Sequence, residues 1–270
     1  MTGQICIESQ FPFKEPSQRF NDRGSSGATV LVKLTGSDRL LNITYFGHTS
    51  FALESKGTVV LLNPGIWKKE PIVPNDFSAR VVVATNKEDD ALGNASTISV
   101  NSKAWFLGNK EAVEKATAQG VKPWLLHVLE NEVPYEIPNV RFVPYALSRI
   151  DETKGGHIGN LGLMIQIGGM KVGYLGDTAI RGPFEHLEMD ILITPIGGGA
   201  TFPVKDAVSL CIDSKPRISI PMRWTSDEQP VKFSKYLEQF GQGIKAVVMM
   251  PNQKLTAQWA AGNEFRYELN

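Results

Sequence analysis

Apolar residues along this chain come in short bursts rather than long runs. From Thr29 onward, segments that are apolar or alternate between apolar and polar cover 29–34, 41–46, 50–54, 58–62 and 80–84, each bounded by Gly, Asn, Asp or Pro. A period of two with breakers at both ends marks strands joined by tight turns. Segments of the same kind follow at 140–146, 161–167, 171–175, 190–194, 217–220 and 246–249. Elsewhere the period lengthens: Lys110–Ala118, Val204–Cys211 and Val231–Phe240 repeat apolar side chains three to four positions apart, which predicts helices. Val81 to Ala84 is apolar throughout and reads as a buried strand running into a polar loop and a helix start. Hairpins mixed with strand–helix units predict an α/β chain of two packed sheets flanked by helices.

Residues 1–28 stand outside this pattern. Phe11, Pro12, Phe13, Pro16 and Phe20 lie among polar residues, and Gly24-Ser25-Ser26-Gly27 then interrupts the chain as a linker would. The expectation is an N-terminal extension over 1–28, packed over the domain or serving as a partner-docking arm, ahead of one domain over 29–270.

Composition narrows the partners. Among 270 residues, Lys plus Arg equals Asp plus Glu at 28 each, so no overall basic field points to nucleic acid or an anionic membrane. No apolar run approaches the roughly 18 residues of a transmembrane segment, and 1–20 lacks a signal-peptide core. Cys6 and Cys211 lie far apart without metal-binding spacing, as in a reducing cytoplasmic compartment. An organelle stroma fits equally if a transit peptide has been removed.

Five motifs, in order, carry a resemblance. Ile43-Thr44-Tyr45-Phe46-Gly47-His48-Thr49-Ser50 reads as a strand with a G-H-x-S turn, and Val59 to Gly65 as a strand followed by Asn63-Pro64. Val81 to Asn94 is a strand with a polar loop containing Asp90. Gly176-Asp177-Thr178 is a G-D-T motif, and Asp190 to Gly198 leads through a helix to Pro221-Met222-Arg223. Together they resemble the metallo-β-lactamase superfamily, in the branch of ascorbate-6-phosphate lactonase and related metal-dependent hydrolases. The resemblance implies a four-layer αββα sandwich, with a metal site where these motifs converge.

Carried over position by position, the ligand places fall on Asn86, Glu88, Asp90, Ala91, Ser148, Asp177 and Arg223, and none is histidine. Asn and Ala make poor ligands or none, and Arg is a fixed cation. Glu88, Asp90 and Asp177 remain, with Asp89 beside them, a set suited to oxygen-binding cations rather than zinc. Carboxylates left without a cation repel one another. Arg223 is therefore expected within about 4 Å of Asp90 or Asp177, in the place of the lost charge. His48, at the rim in the resemblance, is the candidate for acid–base work together with Asp177. His157, in the Gly-rich loop 154–159, overhangs the same place, whereas His127 and His186 read as structural.

The ligand-binding set is thus His48, Asn86, Glu88, Asp90, Ser148, His157, Asp177 and Arg223, with no metal ligands and no cofactor. The functional expectation is a metal-free pseudoenzyme retained for binding, assembly or regulation, with a protein partner and room for a small molecule in the vestigial pocket. The alternative is a divergent hydrolase of a small phosphorylated or lactone-type substrate using Mg²⁺, Mn²⁺ or Zn²⁺, or His48. Other chemistry finds no support: Gly197-Gly198-Gly199 lacks the Lys-Ser/Thr of a phosphate loop, and no G-x-S-x-G elbow occurs.

Overall fold

The computed structural model describes residues 39–270. The extension expected over 1–28, the strand expected over 29–34 and Cys6 lie outside the described residues.

The chain opens with an antiparallel meander, β1 (Leu40–Gly47), β2 (Ser50–Ser55) and β3 (Thr58–Leu62), followed by a small hairpin of β4 (Ile66–Trp67) and β5 (Glu70–Pro71). Strand–helix units come next: β6 (Val81–Ala84), α1 (Ala95–Ser102), β7 (Trp105–Gly108), α2 (Lys110–Ala118) and β8 (Leu126–Val128). A second antiparallel run, β9 (Tyr135–Ile137), β10 (Val140–Ile150), β11 (His157–Ile167) and β12 (Met170–Tyr174), leads into parallel units. These are β13 (Ile191–Pro195), α3 (Val204–Ser214), β14 (Ile218–Met222), α4 (Glu228–Phe240) and β15 (Lys245–Ala246). A last hairpin, β16 (Lys254–Ala260) and β17 (Glu264–Leu269), returns to the first sheet by pairing β16 with β1.

Among the described residues one sheet runs β17-β16-β1-β2-β3-β6-β7-β8 and the other β15-β14-β13-β12-β11-β10-β9. Three apolar layers hold them. Leu41, Ile43, Phe51 and Val83 of the first sheet meet Phe142, Leu163, Tyr174 and Ile220 of the second. Outside the first sheet, Leu61, Val82 and Phe106 pack on Ile98 of α1 and on Ala112 and Ala116 of α2. Outside the second, Met164 and Leu192 pack on Leu210 of α3 and on Phe233 and Leu237 of α4. The molecule is the expected four-layer αββα sandwich. All four residues of β6 are buried because that strand is covered on both faces.

The parallel strands fix where a site can form. In each sheet they send their carboxyl ends toward one edge, where the connecting loops gather, as in other open α/β sheets. The loop after β6 and the turn after β12 meet there. The Leu161 N–H donates to the Thr85 carbonyl at 3.0 Å, tying β11 of one sheet to the end of β6 in the other.

Candidate functional site

Constrained turns deliver His48, Asp177 and Arg223 to this edge. Gly47 and His48 both take positive φ, 123° and 50°, in the bend between β1 and β2. The His48 carbonyl accepts from the Arg223 backbone N–H at 3.0 Å and from the Tyr45 hydroxyl at 3.2 Å. Gly176, with φ 57°, turns the chain from β12 to Asp177, where a Cβ would press on Asn160 and Thr85. Arg223 sits at φ 57° directly after β14. Buried amides brace these turns: Asn63 Nδ2 donates to Thr85 Oγ1 at 2.9 Å while Asn63 Oδ1 accepts from Thr85 N, also at 2.9 Å.

These turns, with Arg149 near the end of β10, bring together two carboxylates, two guanidiniums and an imidazole. Arg149 donates to Asp90 Oδ2 at 2.7 Å and lies 3.6 Å from Asp177 Oδ2. Arg223 Nε approaches Asp177 Oδ1 at 2.5 Å, and another of its nitrogens stands 3.8 Å from Asp90 Oδ2. His48 Nε2 lies 3.7 Å from Asp90 Oδ2. The Asp177 side chain is fully buried and the Arg149 and Arg223 side chains are 12% exposed, so these charges interact in a poorly screened environment.

The two carboxylates diverge in acidity. Burial would raise Asp90, but the neighbouring His48 ring and the charge and hydrogen bond of Arg149 outweigh it and hold Asp90 well below the usual carboxylate range. Asp177 moves the other way. Its burial, and after it the charge of Asp90, hold it above that range against Arg223, His48 and Arg149. A cleft of about 420 Å³ opens above, lined in part by Lys87, Glu88, Asp90, Arg149, Lys154 and Arg223.

The other expected residues are placed as follows. Asn86 is buried, accepting from the Glu88 N–H at 3.0 Å and donating to Asn160 at 3.3 Å, so its amide holds the loop. Glu88 and His157 line the cleft wall. Ser148 Oγ lies 3.2 Å from His157 Nδ1. Ala91 is buried, and Asp89 faces outward to Lys115 at 2.8 Å. His127 stacks on Tyr135 with centroids 3.8 Å apart, and His186 lies 3.3 Å from Glu185 on the surface. The expected pairing of Arg223 with Asp177 is present, and Asp177 faces the 85–91 loop through Asp90. Arg149 escaped the sequence reading. It lies three residues beyond the strand predicted over 140–146, and its one signal is a cation directly after Ser148.

A family model for the beta-lactamase superfamily domain matches residues 42–223. The chain belongs to the metallo-β-lactamase superfamily. Its curated relatives include a UPF0173 metal-dependent hydrolase of Carboxydothermus hydrogenoformans, 28% identical over 194 residues, covering 69% of this chain and 85% of the relative. A UPF0173 protein of Pyrococcus furiosus is 30% identical over 210 residues, covering 73% and 91%. Among solved structures, Igni18, a metallo hydrolase from Ignicoccus hospitalis, superposes with a TM-score of 0.70 at 21% identity, over 82% of this chain and all of that one.

These findings correct two expectations for this superfamily member. The metal-free pseudoenzyme and the absence of a cofactor are both overturned: relatives bear the name metal-dependent hydrolase, and three metal-competent side chains converge. One ligand atom from each of His48, Asp90 and Asp177 lies within 4.8 Å of the others. The ligand places expected at Asn86, Glu88, Asp90, Ala91, Ser148, Asp177 and Arg223 include two of these three donors, Asp90 and Asp177, while His48, expected only at the rim, supplies the third.

Proposed function

We propose that this chain is a metal-dependent hydrolase of a small anionic substrate, with His48, Asp90 and Asp177 holding one divalent cation. The observation that carries this reading is a set of buried orphans: His48 Nε2, Asp90 Oδ1 and Asp177 Oδ2 have no hydrogen-bond partner. Buried polar atoms left without partners are costly, and a nitrogen with two carboxylate oxygens fits a cation. One imidazole in the set suits Mn²⁺ or Zn²⁺ better than Mg²⁺, which prefers oxygen alone. Such an ion, when bound, supplies a water acidified to near neutrality and polarises a carbonyl or phosphoryl oxygen.

The chain's own residues do the rest. Arg149 and Arg223 offset the two carboxylates, so a divalent ion leaves the floor of the cleft net positive. Their planar forks then bind the anionic group of the substrate, a geometry matched to phosphate or carboxylate. His48 and Asp177, the catalytic candidates, act here by orienting the reacting centre. Glu88 and His157 stand in the cleft wall as further ligand contacts, with Ser148 behind His157. The resemblance to the ascorbate-6-phosphate lactonase branch supports a phosphorylated or lactone-type substrate.

The test is elemental analysis of the full chain after incubation with Mn²⁺ or Zn²⁺ and desalting, together with a panel of sugar phosphates and phosphorylated lactones. The expected result is about one ion per chain and turnover that Asp177→Asn abolishes. No retained ion and no hydrolysis, in both the parent and Arg223→Ala, would overturn the reading.

A further inference from the structure

His48 is held at its backbone but not at its ring nitrogen nearest the site. Its carbonyl is fixed by Arg223 and Tyr45, while Nε2 has no hydrogen-bond partner and stands 3.7 Å from Asp90. Metal-competent histidines are usually oriented by donating the second ring N–H to a carboxylate or carbonyl. Among the described residues the His48 ring makes no such bond. What lies against the ring is Trp67, stacked with centroids 3.9 Å apart and planes inclined by 17°.

The hairpin that carries Trp67 is fastened to the same loop as Asp90. The Ile66 N–H donates to the Asp89 carbonyl at 2.7 Å, and the Asn94 N–H to the Pro64 carbonyl at 3.2 Å. Gly65 packs so tightly that a Cβ there would collide with the Asp90 carbonyl, and one on Gly93 would collide with the Gly65 backbone. Lys68 and Lys69 form the turn, both with positive φ, as a two-residue type I′ turn requires. The hairpin therefore sets the indole relative to Asp90. Trp67 keeps 40% of its surface exposed, and part of what it buries lies against the imidazole.

We propose that Trp67 is a positioning residue for His48: its indole fixes the imidazole plane so that Nε2 faces Asp90 and Asp177. The stack substitutes for the hydrogen bond that orients such a ring elsewhere. The consequence for metal affinity rests on the proposed function, whereas the fixing of the ring does not.

Two measurements on the full chain separate these. The first needs no metal: diethylpyrocarbonate modification of His48 at neutral pH, followed by peptide mass spectrometry. Trp67→Leu should speed labelling of His48 about tenfold while leaving His127 and His186 unchanged, and Trp67→Phe, which keeps a flat ring, should restore protection. Equal labelling of His48 in the parent and Trp67→Leu would overturn the proposal. The second is Mn²⁺ titration by calorimetry, in which Trp67→Leu should weaken binding roughly 10- to 100-fold, the usual effect of losing an orienting partner, and Trp67→Phe by much less. Unchanged Mn²⁺ affinity in Trp67→Leu would also overturn it. A parent that binds no Mn²⁺ would refute the proposed function, with the labelling result still deciding the role of Trp67.

Discussion

At the residue scale the site is governed by Asp177, a carboxylate fully out of contact with water and faced by two guanidiniums. Removing one member of a buried pair leaves the other charge stranded, at a typical cost of about 3–5 kcal/mol. Arg149 stays 3.6 Å from Asp177 and retains part of the compensation, so Arg223→Ala should destabilise by roughly 3 kcal/mol, the lower end of that range. Adding Asp177→Asn should return part of the loss, because the stranded charge is then gone; chemical denaturation of the parent, both single variants and the double variant closes that cycle. Cys211 gives a second expectation at this scale. Burial pushes its thiol up to about 12, against a hydrogen bond to Ser219. In a Cys6→Ser background it should resist thiol reagents at pH 8 until the protein unfolds, and native-state labelling within minutes would contradict its burial. His48, Asp90, Asp177 and Arg223 were legible in the sequence because each follows a strand within a recognisable turn. Arg149 was not, because an arginine at a strand end ordinarily points to water, and only the fold shows that carboxylates from two other turns lie beneath it.

Among the elements, legibility followed how strongly one period dominates. Helix α2 spans the expected Lys110–Ala118, since Asn109 caps it by accepting from the Ala112 N–H at 2.9 Å and its apolar face is regular. Helix α1, with the sequence ASTISVNS, has poor helix formers and little apolar contrast, so only its start could be anticipated. The strand expected over 246–249 pairs only at Lys245–Ala246, because the chain then leaves the second sheet to reach β16 in the first. Strands β16 and β17 were missed: their residues are largely half-exposed, and charged positions blur the alternation. The hairpin that bears Trp67 yields a prediction of its own. Gly65→Ala must push the hairpin away from Asp90, whereas Gly57→Ala meets no neighbour and pays only for its φ of 74°. Gly57→Ala should cost about 1 kcal/mol, the usual strain of a side chain at positive φ, and leave Mn²⁺ affinity alone. Gly65→Ala should cost more and weaken Mn²⁺ binding, and equal melting of the two variants would show that the hairpin is not clamped to the loop.

For the whole molecule, the site lies where the two sheets meet, so whatever fills it bridges them. His48 comes from the first sheet's β1–β2 turn and Asp90 from the loop after its β6, while Asp177 and Arg223 follow β12 and β14 of the second. A ligand bound there by residues of both sheets stabilises only the assembled sandwich, and linkage then relates affinity to stability. An ion at 100 times its dissociation constant adds about 2.7 kcal/mol. For a chain of this size each kcal/mol is worth about 2–4 °C in melting temperature. Saturating Mn²⁺ should therefore raise the melting temperature by roughly 5–10 °C, and excess EDTA should return it. Asp177→Asn should melt at the same temperature with and without Mn²⁺. Arg223→Ala, although less stable at baseline, should show the larger rise, because the guanidinium no longer competes for Asp177. A scan in which Arg223→Ala gains less from Mn²⁺ than the parent would mean that the arginine supports the ion rather than displacing it. The charge balance argued for the floor of the cleft would then have to be redrawn with Arg149 alone as the competing cation.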